Sequence, residues 1–296
     1  MVCEKNADSD HDFDNDPIEP YVEDDWVKAK GTTLGADNGV GVAMGMAVLD
    51  SDDIPHPPIE LLCTLDEETG LTGAMSLSPD LLQGEILINL DSEEDGAFTI
   101  GCAGGQNTSG SYKYDGEAPP KDHTAFKLGI KGLMGGHSGI EIHDGRANAI
   151  KFLNRMLWQA KDQFDLKVSS IDGGNAHNAI PREAFAVVTV PKDQKKDLKD
   201  FVKNFDKTIK TEYQSKEKGI EAVADSTDMP ERVMTKGMQY NLLDSLYASP
   251  HGVYRMSPDI EGLVQTSTNL AVIQTREDDI YVLTSQRSSI ESEKFD

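Results

Sequence analysis

Positive charge is scarce: 28 lysines and arginines stand against 52 aspartates and glutamates in 296 residues, a formal net charge of −24. Such a chain repels phosphate backbones and anionic lipid alike, so neither nucleic acid nor a membrane surface is an expected partner. Cysteine is nearly absent. Cys3, Cys63 and Cys102 form an odd set without metal-finger spacing, which excludes a disulfide framework and points to reduced thiols in a cytoplasm. No apolar run approaches the ~18 residues of a membrane-spanning helix, and the opening residues lack the apolar core of a secretory signal. What remains is a chain with 38% hydrophobic residues, long enough for one large or two ordinary domains.

Residues 59–70 read Ile-Glu-Leu-Leu-Cys-Thr-Leu-Asp-Glu-Glu-Thr-Gly, an apolar run emptying into three consecutive acids. Short apolar runs predict buried strands, and in open α/β sheets ligands gather at the carboxyl ends of strands. Residues 85–91 repeat the design, a strand pattern ending in Asp91. Between residues 31 and 41 a glycine-rich turn presents Asp37 at the start of a small-residue helix running to about Leu49, where exposed amides are expected to orient it. That turn has no basic residue to meet a phosphate, which disfavours a phosphoryl transferase. Three acidic loops within about 55 residues predict a metal centre, because adjacent carboxylates need a shared cation. Asp8, Asp10, Asp12, Asp14 and Asp16, with Glu19, imitate a calcium loop, but its sixth position is Phe13 where glycine is required. An acidic loop leading into a hairpin, 18–21 and 26–29, is expected instead.

A second helical pattern spans 71–82. From about Gly104 the texture turns polar and suggests a hinge. Beyond it the periodicities predict strand 125–130, helix 146–164, strand 166–171, strand 184–190, helix 195–213 and strand 219–224. That βαββαβ order is a ferredoxin-like sandwich. Two of its loops are chemically unusual: Gly135-Gly-His-Ser-Gly139 sets an imidazole among glycines, and residues 175–182 offer Asn178 and Arg182. The remainder reads as helix 240–248 and strands 263–275 and 280–284.

Taken in series, Thr33-Leu-Gly-Ala-Asp-Asn-Gly, Asp66-Glu-Glu-Thr-Gly-Leu-Thr-Gly-Ala, Ile88-Asn-Leu-Asp-Ser-Glu-Glu, Gly101-Cys-Ala-Gly-Gly, Gly135-Gly-His-Ser-Gly and Asn178-Ala-Ile-Pro-Arg-Glu resemble the aminoacyl-histidine (Xaa-His) dipeptidases, within the co-catalytic zinc peptidase and aminoacylase superfamily. The resemblance implies an α/β fold. Residues 1–104 would be part of a catalytic domain with a doubly wound mixed sheet, and 105–296 an inserted lid and dimerisation domain, its ferredoxin-like core at about 124–225 and an extension at 226–296. It further implies two zinc ions, with manganese or cobalt as substitutes, and a small peptide substrate. Asp37 would bridge the metals, Glu68 and Asp91 would each bind one, and Glu67 would be the general base. His137 would steady the oxyanion, Asn178 and Arg182 would contact substrate, and the lid would make a homodimer.

The sequence also departs from the family pattern. The first metal-binding histidine belongs to an HxD motif after which relatives carry a Met-Val pair like Met1-Val2, and no later stretch resembles the segment with the last zinc-binding histidine. The chain thus reads as a dipeptidase lacking both ends, expected to be weakly active or inactive alone. The alternatives are a non-catalytic dimerisation or binding module with a vestigial metal site, and another peptidase or N-acyl amino acid hydrolase of the superfamily.

Overall fold

The computed structural model describes every residue except 1, 2, 4, 7, 8, 68, 69, 93–95 and 296. It divides into two compact units, Met1–Ile100 and Gly101–Asp296.

In the first unit the expected hairpin forms: β1 (Pro20–Glu23) pairs antiparallel with β2 (Trp26–Ala29), Glu23 facing Trp26. Asp24 turns the chain with a φ of 55°. Helix α1 (Ala36–Asp50) follows the glycine-rich turn. Helix α2 (Thr72–Met75) is a single turn where a helix over 71–82 was expected. Pro79 bars its neighbour from helical backbone and removes a donor, which shortens the element.

The two predicted strands over 59–65 and 85–91 are absent. An apolar run becomes a buried strand only when neighbouring strands take its backbone groups and other layers cover its faces. The described residues of this unit supply neither, and Ile86, Leu87 and Ile88 are 85%, 78% and 77% exposed. No described hydrophobic side chain of the unit is buried, and its described strands pair only as β1 with β2, without the expected doubly wound sheet.

The second unit holds the core. In chain order it contains β3 (Gly104–Lys113), β4 (Gly116–Glu117), β5 (His123–Lys131), β6 (Gly136–His137), α3 (Ala149–Gln163), β7 (Lys167–Gly173), β8 (Ala179–Ile180) and β9 (Ala184–Pro191). Then come α4 (Lys195–Glu212), β10 (Glu221–Ser226), β11 (Val233–Met234), α5 (Lys236–Ala248), β12 (Gly252–Met256), β13 (Val264–Thr275), β14 (Asp279–Ser288) and α6 (Glu291–Lys294). The sequence β5-α3-β7-β9-α4-β10 folds as expected into an antiparallel sheet of order β10-β5-β9-β7, the arrangement of a ferredoxin-like sandwich.

Helices α3 and α4 are amphipathic. Ile150, Leu153 and Leu157 from the first and Leu198, Val202 and Ile209 from the second join Phe126, Leu128 and Ile130 of β5 in one cluster. Each such fully buried side chain stabilises the fold by about 1.5–3 kcal/mol relative to exposure.

The sheet continues past β7, which meets β13 at Gly173 and Ile273, and runs on through β14 to β3, with β12 alongside β13. The polar stretch beginning at Gly104 is therefore a ten-residue edge strand and not a hinge. Its backbone pairs with β14 at every position from Gly104 to Lys113, while most of its side chains face solvent, so no hydrophobic alternation marked it. Among the described residues no helix is long and apolar enough to cross a membrane.

Candidate functional site

In the first unit the glycine-rich turn delivers Asp37 to the foot of α1. Asn38, not Asp37, caps the helix: its Oδ1 accepts the Gly41 N–H at 3.0 Å, while Asp37 keeps non-helical backbone angles and an exposed carboxyl. The Gly41 amide, one of those expected to orient Asp37, is thus taken by its neighbour. Asp91 follows a short turn in which its N–H bonds Asn89 Oδ1 at 2.9 Å.

The Asp37 and Asp91 carboxyls lie close enough to interact. Partial desolvation, then the proximity of the Asp37 carboxyl, raise the Asp91 pKa from its ordinary value. Glu67 lies in a loop that folds back on itself, its carbonyl accepting the N–H groups of Gly70 and Leu71 at 3.3 and 3.2 Å, and Gly73 N bonding Leu65 O at 3.0 Å. Glu68 lies outside the described residues. Among the described residues no group of three or more histidine, cysteine, aspartate or glutamate side chains is arranged to hold a metal.

In the second unit the His137 loop pairs with the Asn178 loop. Strand β6 lies antiparallel to β8, His137 opposite Ala179, and Ser138 N bonds Asn178 O at 2.7 Å. The ring is oriented from within its own turn. Ile140 N–H donates to His137 Nδ1 at 3.2 Å, which leaves the ring proton on Nε2. Burial, then the charge of Arg287, lower the His137 pKa and keep the imidazole neutral. Glu141 accepts the His137 backbone N–H at 2.7 Å and pairs with Arg146, which also reaches Gly135 O at 2.7 Å.

Arg287, at the end of β14, is the residue that sequence reasoning missed. A Cβ built on Gly139 would lie 2.7 Å from its Cζ and 2.9 Å from His137 Cε1, so the glycine makes room for guanidinium and imidazole to sit together. Arg287 has no ion-pair partner among the described residues. Only its place in the sheet reveals it, since Ser285-Gln286-Arg287 is an ordinary strand ending. Asn269, buried in β13, was also missed; its amide donates to the carbonyls of His177 and Ala179 at 3.3 and 2.8 Å and fixes the loop beside His137. Arg182 sits at the stem of the His137 loop, Nε donating to Leu133 O at 3.1 Å. The structure thus joins Asp37 with Asp91, and His137 with the Asn178 and Arg182 segments.

The β-sheet with two helices that carries His137 is of a known class. Residues 128–217 match a family described as the peptidase dimerisation domain. Across its length the chain is 43% identical, over 294 residues, to the cytosol non-specific dipeptidase of Escherichia coli (strain K12), covering 99% of this chain and 61% of that protein. The crystal structure of the aminoacylhistidine dipeptidase of Vibrio alginolyticus superposes with a TM-score of 0.80 at 43% identity, covering 100% of this chain and 60% of that one. An uncharacterized protein of Bacillus subtilis (strain 168) is 39% identical over 80 residues, 26% of this chain and 22% of that protein. Over its whole length the chain is similar to part of the aminoacylhistidine and cytosol non-specific dipeptidases, and residues 128–217 to the peptidase dimerisation domain. It spans about 60% of the length of these two dipeptidases.

Proposed function

We propose that the chain carries part of the machinery of a cytoplasmic, metal-dependent dipeptidase that cleaves peptides of the Xaa-His type. The reading is carried by the Asp37–Asp91 pair. Two carboxyls near enough for one to raise the pKa of the other are the charge arrangement that a shared divalent cation relieves. Hard oxygen donors of this kind fit one side of a zinc or manganese site. Asp37 and Asp91, with Glu68, would hold the metals.

A dication held there would bring the pKa of a bound water towards neutrality and polarise the scissile carbonyl. Glu67 takes a proton from the attacking water and returns it to the leaving amine. His137, its proton on Nε2, donates to the developing oxyanion, and the neutral ring is the form suited to that task. Arg287, without an ion-pair partner among the described residues, offers its guanidinium beside it, matched to the terminal carboxylate of a short peptide, with Asn178 and Arg182 as neighbouring contacts. The second unit makes a homodimer. Among the described residues no group of three or more ligating side chains surrounds the acids, so zinc binding by the chain is expected to be weak and hydrolysis slow.

Calorimetric titration with zinc, paired with carnosine hydrolysis, tests the reading. Expected are measurable binding that Asp37→Asn and Asp91→Asn abolish, Glu67→Gln binding metal without turnover, and His137→Gln lowering kcat by roughly 10²-fold. Zinc binding unchanged in Asp91→Asn would overturn it.

A further inference from the structure

Loop 132–147 carries His137, and both of its stems converge on one side chain. Glu217 lies in the turn after α4 and is 1% exposed. One carboxyl oxygen accepts the N–H of Met134 at 2.8 Å and the other that of Ala147 at 2.9 Å. Among the described residues Glu217 has no ion-pair partner. A buried carboxyl without a cation is costly unless its oxygens are satisfied, and here two backbone donors from opposite ends of one loop do so.

The same turn presses on the loop a second time. A Cβ on Gly132 would fall 2.1 Å from Gly219 O, an approach open only to glycine, and Gly132 has a φ of 74°. Within the loop, Arg146 binds Gly135 O, and Glu141 joins Arg146 to the His137 N–H. The ring therefore hangs from a frame whose two ends are fastened by Glu217.

We propose that Glu217 is a positioning residue for His137, clamping Met134 and Ala147 so that the imidazole is held next to Arg287. This rests on the reading that His137 serves the hydrolysis. Glu217→Gln tests it, because the amide must turn an N–H against one of the two backbone donors. Expected are two changes in the 296-residue chain. Hydrogen exchange at Met134 and Ala147 accelerates at least roughly tenfold. The His137 ring titration, followed by NMR of labelled histidine, moves up towards the ordinary imidazole range as the ring leaves its buried place near Arg287, while that of His251 stays put.

An unchanged His137 titration overturns the proposal, as does a parallel shift of both histidines, which marks general loosening. Should the glutamine variant not fold, Glu217→Asp, whose shorter arm holds one amide at a time, is judged by the same two criteria. Carnosine hydrolysis by His137→Gln separates the premise from the clamp: an unaltered rate sinks the catalytic reading of His137 and leaves the titration to decide on Glu217.

Discussion

His251 lines a cavity of about 350 Å³ together with Asn148, Asn154, Tyr213 and Tyr247. The Asn148 amide donates to Leu270 O at 2.8 Å and faces His251 Nδ1 at 3.2 Å, so Nδ1 must be an acceptor. Burial, then the nearby Lys151 charge, push the His251 pKa down to about 4. A histidine whose folded pKa is depressed binds its proton more readily when unfolded. Its contribution is complete above the unfolded value near 6.5 and is lost as pH falls towards 4. The full effect is roughly 3 kcal/mol. Thermal melts of wild type and His251→Asn check this: the variant is expected to lose less stability than wild type between pH 7 and about 4.5, by roughly 2 kcal/mol. At this scale the sequence was informative wherever chemistry is carried by an unusual local string. The Gly-Gly-His-Ser-Gly turn marked His137. Arg287, Asn269 and Glu217 carry no such mark, because their roles come from partners tens of residues away.

The helices of the second unit were legible because their burial follows a 3.6-residue period and their caps are local. Asn148 Oδ1 accepts Lys151 N at 3.2 Å to start α3, and Thr235 Oγ1 serves Met238 N at the head of α5. The two caps differ in what else they hold. Asn148 is buried and also satisfies Leu270 O, whereas Thr235 is half-exposed and shares its hydroxyl with Asp115. Asn148→Ala is expected to cost about 2–3 kcal/mol and Thr235→Ala about 1, read from denaturant midpoints at constant slope. Apart from the exposed β1–β2 hairpin, whose turn marked it, strands were legible where they lie in the core. β5 and β9 announced themselves through apolar alternation, and β3 did not, since an edge strand is fixed by backbone pairing that any side chain permits. Runs 59–65 and 85–91 fail in the opposite way. Their composition asks for a strand, but a strand is a property of its neighbours too.

At the scale of the whole molecule the apolar side chains are divided unequally. Every described buried hydrophobic residue lies at or beyond Tyr114, so the second unit has a core of its own, while the first exposes Val40, Met44, Met46, Ile86, Leu87, Ile88 and Phe98. Local opening follows burial: segments with few buried apolar contacts open at low free energy and are cut first by proteases. Thermolysin, which cuts beside large apolar residues, is expected to degrade Met1–Ile100 at least roughly tenfold faster than the rest and to leave a stable product beginning near Gly101. That product contains the whole 128–217 match to a dimerisation domain, and it should sediment as a dimer, as should the intact chain. With a formal charge of −24 on each intact copy, association opposes like charge, so the intact dimer should tighten as salt rises from about 0.05 to 0.5 M. A product that sediments as a monomer would place the dimer contacts elsewhere. Equal rates of cleavage in both units would show that the first is as well supported as the second.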